Sequence, residues 1–488
     1  MKVLLIGMDG AHIDAFNRGW TPFISSLISS GEQLNIKNDL LSRGWLEIAT
    51  GKHASVTGAM YDKPKVDGTL LWGTEFSIND IPGLNTSVKP IWDALNEKGY
   101  SVGVMNLPTT FPAPSVNGFF VSGGGGGAPV TQEATKDLCY PPECLPLLHE
   151  SGYIVDDRLY QLIVDKKLTS GSEIFSRLAY KNKKRTESFL KLDEKYKVDF
   201  GFIVYKTSSV FAETILNTEW LRRKNIKNNP DDDIVDSVRS YYECFDNEIK
   251  ALHQKYPSSE FIFVSDHGTT LRTHSVNPNI FLQDKGYQVV EVKKAVVKNL
   301  VTKLKEIIPF SVKSYLKKTS VMKAKNIGQT NFNVMKTVAF CKTQGDWVHG
   351  IYINDRERFG GPVLTADIES IKADIVESFN SNSEVLKHCL RAYTVDSNRD
   401  GVGACFPDIC IDIPNGYLTT DKVSDFIIEF KPDKSTSALS SITKGDILSL
   451  KSHTPLAVIN PSKGGNENFK VHNGDLTIVY DYILSRFK

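Results

Sequence analysis

A chain of 488 residues accommodates one large elaborated domain or two modest ones, and its 58 Lys and Arg against 57 Asp and Glu leave a net charge of +1. With 41% hydrophobic and 24% charged residues, the composition is that of a soluble globular protein, which excludes wholesale disorder and a globally basic nucleic-acid binder. Seven cysteines, an odd number without paired metal-ligand spacing, indicate neither a disulfide framework nor a zinc knuckle and point to a reducing compartment.

The apolar run that opens the chain stops at Asp9-Gly10; it is too short for a secretory signal and lacks a small-residue cleavage site. It fits a buried parallel strand, and no other stretch reaches the ~18–20 apolar residues of a membrane helix, so a cytoplasmic location is expected. Strands are predicted at Val3–Met8, 101–105, Phe200–Tyr205 and 261–265, with a helix over 89–98 that ends at Gly99. This alternation predicts an α/β fold with a mainly parallel central sheet flanked by helices, and chemistry at the carboxyl ends of its strands.

The glycine tract 123–127 lacks the Gly-Lys-Ser/Thr ending of a phosphate loop and reads as a flexible loop. Residues 131–200 are helix-like and charged, and residues 287–335 are rich in lysine with few acids. Both read as insertions that cap a catalytic core made of residues 1–130, 201–286 and 336–488. The lysines between 293 and 325 form either a solvated helical face or a contact with an anionic polymer or membrane surface.

Three polar positions end apolar runs. Asp9 follows the first strand, where a carboxylate serves either as a metal ligand or as a turn or helix cap. Asp266 and His267 follow the run 261–264 and precede Gly268. A carboxylate oxygen and a neutral imidazole nitrogen suit Zn, Mn or Fe, and a polar strand-end turn is the alternative. Convergence of Asp9, Asp266 and His267 would leave open coordination positions, the mark of a catalytic rather than a structural metal site.

Met8-Asp9-Gly10, the segment from Ser42-Arg43-Gly44-Trp45 to Thr50-Gly51, and Ser265-Asp266-His267-Gly268 together resemble the alkaline phosphatase superfamily, in particular its type I phosphodiesterase/nucleotide pyrophosphatase branch. Pieces at 90–95, 106–112, 279–286, 350–354, 406–408 and 452–455 carry the resemblance along nearly the whole chain. It implies an alkaline-phosphatase-like core with an inserted cap, and a divalent ion, Zn or Mn, bound by Asp9, Asp266, His267 and the nucleophile oxygen. Ser42 is the nucleophile so implied, activated by coordination and forming a phosphoseryl intermediate. The family places its nucleophile one residue further from the Trp, where this chain has Leu41, so a one-residue contraction is assumed. A turn role for Ser42 and a capping role for Thr50 are the alternative.

The family's second metal set is an Asp-x-x-x-His after a strand plus a late His. Here Ser209 and Glu213 stand in the first two positions and His453 in the third, so the second site is altered, weak or absent and the chain holds one or two ions. Lys206, Arg43 and Lys52 offer charge that would partly replace an ion, or are solvated loop residues. Glu47 stands where the family has a small or hydroxyl residue and either contacts substrate or tunes the nucleophile. His274 and His349 are substrate contacts or ordinary satisfied histidines.

The activity implied is metal-dependent hydrolysis of a phosphodiester or pyrophosphate bond in a nucleotide, sugar phosphate or polymer, without specific nucleic-acid binding. Phosphomonoester or sulfate-ester hydrolysis and phospho-group transfer stay open because the superfamily reuses one scaffold. A non-catalytic binding protein with a degenerate second metal site stays open too. An isomerase of the phosphoglycerate-mutase type ranks behind these.

Overall fold

A computed structural model of the chain describes residues 1–11, 13–73, 75–128, 133–155, 159–165, 167–168, 170–223, 232–290, 332–342, 350–395, 401–421, 423–431, 448–460 and 474–487. The chain forms two compact units, one made of Met1–Met60, Glu75–Thr273 and Phe430–Lys488, the other of Tyr61–Thr74 and His274–Glu429.

The first unit is built on an eight-stranded sheet, counted among the described residues. Its order is Glu32–Gln33, Ala457–Asn460, Glu260–Val264, Val3–Met8, Phe200–Tyr205, Val102–Leu107, Gly118–Ser122 and Cys139–Tyr140. Val3–Met8 runs parallel to both of its neighbours, and so does Val102–Leu107; only the outer pairings are antiparallel. Every residue of Val3–Met8 and of Phe200–Tyr205 is buried. That is why these strands read as unbroken apolar runs rather than alternating ones: a parallel sheet is covered on both faces.

The two faces divide one strand by its period of two. Leu4, Ile6 and Met8 join the core under the helices Pro22–Ser30, Gly171–Tyr196 and Asp232–Lys255. Val3 and Leu5 join the core under Gly44–Thr50, Ile91–Glu97 and Thr477–Arg486. Within residues 131–200, expected to form a cap, the helix Gly171–Tyr196 is a sheet-covering element that packs on Val102–Leu107 and Gly118–Ser122. It starts at a reciprocal cap: Glu173 N–H donates to Ser170 Oγ, and Ser170 N–H donates to Glu173 Oε2, each at 3.1 Å.

The second unit carries an antiparallel sheet in the order Ala339–Cys341, Gly350–Ile353, Ile409–Asp412, Arg391–Thr394, with the helix Ile368–Asn380 against it. Arg358 is buried there between Asp355 and Asp408, at 2.5 and 2.7 Å. Most of the expected basic segment 287–335, including the lysines from 293 to 325, lies outside the described residues, as does His349. Among the described residues no helix is long and apolar enough to cross a membrane.

Ile6 is wholly buried in the central strand that carries Asp9. Truncating it with Ile6→Ala is expected to cost about 2–5 kcal/mol, read from the urea unfolding midpoint. A change under about 1 kcal/mol would contradict the packing described.

Candidate metal centre

Val3–Met8 and Glu260–Val264 lie side by side with Gly7 in register with Val264. Each chain then runs two residues further to a carboxylate, so Asp9 and Asp266 leave the sheet together. His267 follows, with Nε2 at 3.7 Å from Asp9 Oδ1 and 3.6 Å from Asp266 Oδ2. One ligand atom from each of the three lies within 4.8 Å of the other two. His267 Nδ1 sits 2.7 Å from the Gly268 carbonyl, to which it donates, and this fixes the tautomer with the Nε2 lone pair facing the carboxylates.

The other carboxylate oxygens are held from outside: Gly10 N–H donates to Asp266 Oδ1 and Trp45 Nε1 donates to Asp9 Oδ2, each at 3.3 Å. Burial, and then the charge of Asp266, push the Asp9 carboxyl above its usual range. Burial, and then Lys451, push His267 down to about 3, so the imidazole is neutral. Two crowded carboxylates and a neutral imidazole form a donor set that a divalent cation satisfies, and two oxygens with one nitrogen suit Zn or Mn.

The short helix Gly44–Thr50 holds this arrangement from one side. A Cβ at Gly44 would lie 2.3 Å from the Asp266 carbonyl oxygen, and one at Gly7 would lie 2.8 Å from the Trp45 ring, so both close approaches require glycine. Asn38 Nδ2 also donates to the Asp266 carbonyl at 2.7 Å, while the Asn38 carbonyl accepts from His453 Nδ1 at 2.7 Å. His453 is thereby placed through Asn38. Among the described residues the group of three His, Cys, Asp or Glu side chains gathered closely enough for a metal is Asp9, Asp266 and His267.

Ser42 is 0% exposed. Its Oγ donates to Asp39 Oδ2 at 3.5 Å and its backbone N–H to Asp39 Oδ1 at 3.1 Å. His53 Nε2 approaches the same Asp39 oxygen at 2.7 Å and Glu47 Oε1 at 3.8 Å. Burial pushes Asp39 up, but the bond and charge of His53 outweigh it and hold the carboxyl low. Burial works against a charged His53 as well, yet Asp39 and Glu47 raise it to about 9. Burial, and then Asp39, raise Glu47 to about 8.

Arg43 Nε donates to the Met60 carbonyl at 2.9 Å, with its guanidinium 5.8 Å from the Phe76 ring centre. Lys206 is exposed. Ser209 and Glu213 lie on the helix Ser208–Arg223, whose first residue donates through Oγ to the Asp9 carbonyl at 2.7 Å. His274 belongs to the second unit and stacks on Tyr417 at 4.5 Å. Asp39, His53, Asn38 and Lys451 were not singled out by the sequence. A cluster closed by Asp39 and His53, 14 residues apart across a turn and a helix, follows no fixed spacing; Lys451, two residues before the late His453, had at least that signal of place.

Two outcomes follow. Gly44→Ala is expected to weaken Zn binding about tenfold or more in a competition titration, since it displaces Asp266; unchanged affinity would refute that support. Above pH 7, where His267 is neutral in the unfolded chain as well, Glu47 and His53 of the folded chain hold protons that the unfolded chain releases. Glu47 destabilises increasingly from 4.5 to about 8, and the stabilising share of His53 is whole below 6.5 and gone above about 9. The thermal midpoint, measured with a chelator present, should therefore fall as pH rises from 7 to 9, and more shallowly below pH 8 in Glu47→Gln. A midpoint that rises would reverse the assignment.

The family model of type I phosphodiesterase / nucleotide pyrophosphatase matches residues 3–339. A comparison with curated proteins finds no match. Among solved structures, phosphonoacetate hydrolase from Sinorhizobium meliloti 1021 overlays with a TM-score of 0.53 at 10% identity, over 100% of this chain and 96% of that one. Weaker overlays are with the alkaline phosphatase PafA, at 0.49 and 13% identity over 99% of this chain and 95% of that one. Murine ectonucleotide pyrophosphatase/phosphodiesterase 5 gives 0.42 and 12% identity over 100% and 95%. The expected α/β fold, with its mostly parallel sheet between helices, is the fold observed. The chain belongs to the type I phosphodiesterase/nucleotide pyrophosphatase family of phosphoester hydrolases.

Proposed function

We propose that the chain is a metal-dependent phosphodiesterase or pyrophosphatase that works through Ser42. The observation that carries this reading is the meeting of Asp9, Asp266 and His267 at neighbouring strand ends. A divalent ion, Zn or Mn, held by these three side chains supplies Lewis-acid charge at the phosphoryl oxygens.

Ser42 stands two residues before Gly44, which lies against Asp266, and that adjacency in the chain supports its assignment as the nucleophile. Its O–H already points to Asp39. As Oγ bonds to phosphorus, its proton passes to the Asp39 carboxylate, the bond from phosphorus to the leaving oxygen breaks, and that oxygen takes a proton from solvent. His53 orients Asp39 from its other side. Water then attacks the phosphoseryl group and gives one proton to solvent, while the bond from phosphorus to Oγ breaks and Oγ takes back its proton from Asp39. Arg43 and Lys206 lend charge to the nonbridging oxygens of a nucleotide, sugar phosphate or polymer, and Glu47 tunes Ser42 through their hydrogen bond.

One observation favours a second reading, a phosphoester-binding protein without turnover: the Ser42 hydroxyl is fully buried and already engaged. The assay that separates the two is hydrolysis of bis-p-nitrophenyl phosphate, beside p-nitrophenyl phosphate, with Zn or Mn added. Turnover faster on the diester is expected, with a loss of roughly 10³-fold or more in Ser42→Ala. Metal-loaded protein that hydrolyses neither compound would leave the binding reading. Full activity in Ser42→Ala would remove Ser42 from the mechanism.

A further inference from the structure

The strand Gly268–Leu271, which continues directly from His267, pairs antiparallel with Ser449–Ser452 so that Thr269 faces Lys451. Directly opposed residues of an antiparallel pair project from the same face. Thr269 shows which face this is, because its Oγ1 donates to the Gly10 carbonyl at 2.5 Å. A Cβ at Gly10 would meet Ser209 Cβ at 2.8 Å, His267 Cε1 at 3.0 Å and Thr269 Oγ1 at 3.2 Å. Lys451 therefore rises from the ladder on the side that Asp9, His267 and Ser209 line. The helix bearing Ser209 and Glu213 packs against both strands of this pair.

The charges around Lys451 agree with that placement. Burial holds the Lys451 ammonium below the usual lysine range, while Asp266, Asp9 and Glu213 favour its charge and Arg43 opposes it. Glu213, a member of the implied second metal set, thus lies within electrostatic reach of Lys451, and His453, another, follows Lys451 by two residues. A cation bound there would meet the Lys451 charge at short range, and Ser209 supplies no negative charge to offset the repulsion. Hydrolysis of a phosphate ester by two ions uses positive charge on both sides of phosphorus, and an ammonium with several N–H donors is a chemical substitute for one of them.

We propose that this chain holds one divalent ion rather than two, and that the Lys451 ammonium stands in for the second by donating to the nonbridging oxygens of the bound phosphoryl group. The proposal rests on the metal-dependent reading above. Lys451 is then a substrate contact, and the departures at Ser209 and Glu213 belong to a rebuilt site.

The test uses the full chain, loaded with excess Zn or Mn and freed of unbound ion by gel filtration. Metal per chain is measured by mass spectrometry, and binding of inorganic phosphate by calorimetry, for the unaltered protein, Lys451→Met and Lys451→Arg. One ion per unaltered chain is expected. Lys451→Met should keep its ion and lose about tenfold or more in phosphate affinity, and Lys451→Arg, which keeps the charge, should recover most of it. Two ions per unaltered chain overturn the proposal and leave metal-dependent hydrolysis standing, as does undiminished phosphate affinity in Lys451→Met. An unaltered chain that binds no ion removes the metal-dependent reading itself. The count on the unaltered protein decides the matter even where a variant fails to fold.

Discussion

Two carboxylates brought out of the sheet at one register, with Gly7 beside Val264, set the terms for everything around them. Asp9 and Asp266 repel one another in a buried setting, and burial already disfavours the charge on Asp9. The surrounding fold spends its polar groups on restraining them. Trp45 and the Gly10 amide each take one carboxylate oxygen, and the Gly268 carbonyl turns the His267 lone pair toward the rest. Gly44 lets a helix press against the Asp266 backbone. Such outer contacts aim the donors at a common point and leave a cation as the natural remedy for the repulsion.

The polar groups near this point have distinct electrostatic characters. Around Asp9 and Asp266 the compensation comes from Lys451, with Lys206 adding to it at Asp9. Around Ser42, Asp39 and His53 form a mutually charged pair, and their neighbour Glu47 is driven toward its neutral form by burial and by Asp39. A carboxyl held neutral can donate as well as accept, which gives Ser42 a neighbour of unusual versatility.

The meeting of Asp9, Asp266 and His267 was legible in the sequence because they follow apolar runs, and a buried parallel strand announces its own carboxyl end. The strands and the flanking helix at Ile91–Glu97 were legible for the same reason of period and composition. Other features were hidden for physical causes. Lys451 meets Thr269 through a ladder closed across nearly two hundred residues of chain, and ladder partners leave no mark on local composition. Strands as short as Ala339–Cys341 and Arg391–Thr394 are below the length at which alternation can be recognised, so the sheet of the second unit went unread. The charged character of residues 131–200 suggested a cap, because the outward face of the long amphipathic helix Gly171–Tyr196 dominates its composition while the inner face covers the sheet.

The division of the first unit into three stretches of chain carries a consequence for its biogenesis. Synthesis proceeds from the amino end, and the strand Ala457–Asn460, the Lys451 strand and the helix Thr477–Arg486 against Gly44–Thr50 are all made last. Until they emerge, Glu260–Val264 is a bare sheet edge and the helix beside Asp266 lacks its cover. The larger part of the second unit, His274–Glu429, lies in the chain between the ligand-bearing strands and these closing pieces. A nascent chain therefore carries Asp9, Asp266 and His267 long before residues 449–486 that brace them have been made, and their arrangement is completed only after those residues emerge.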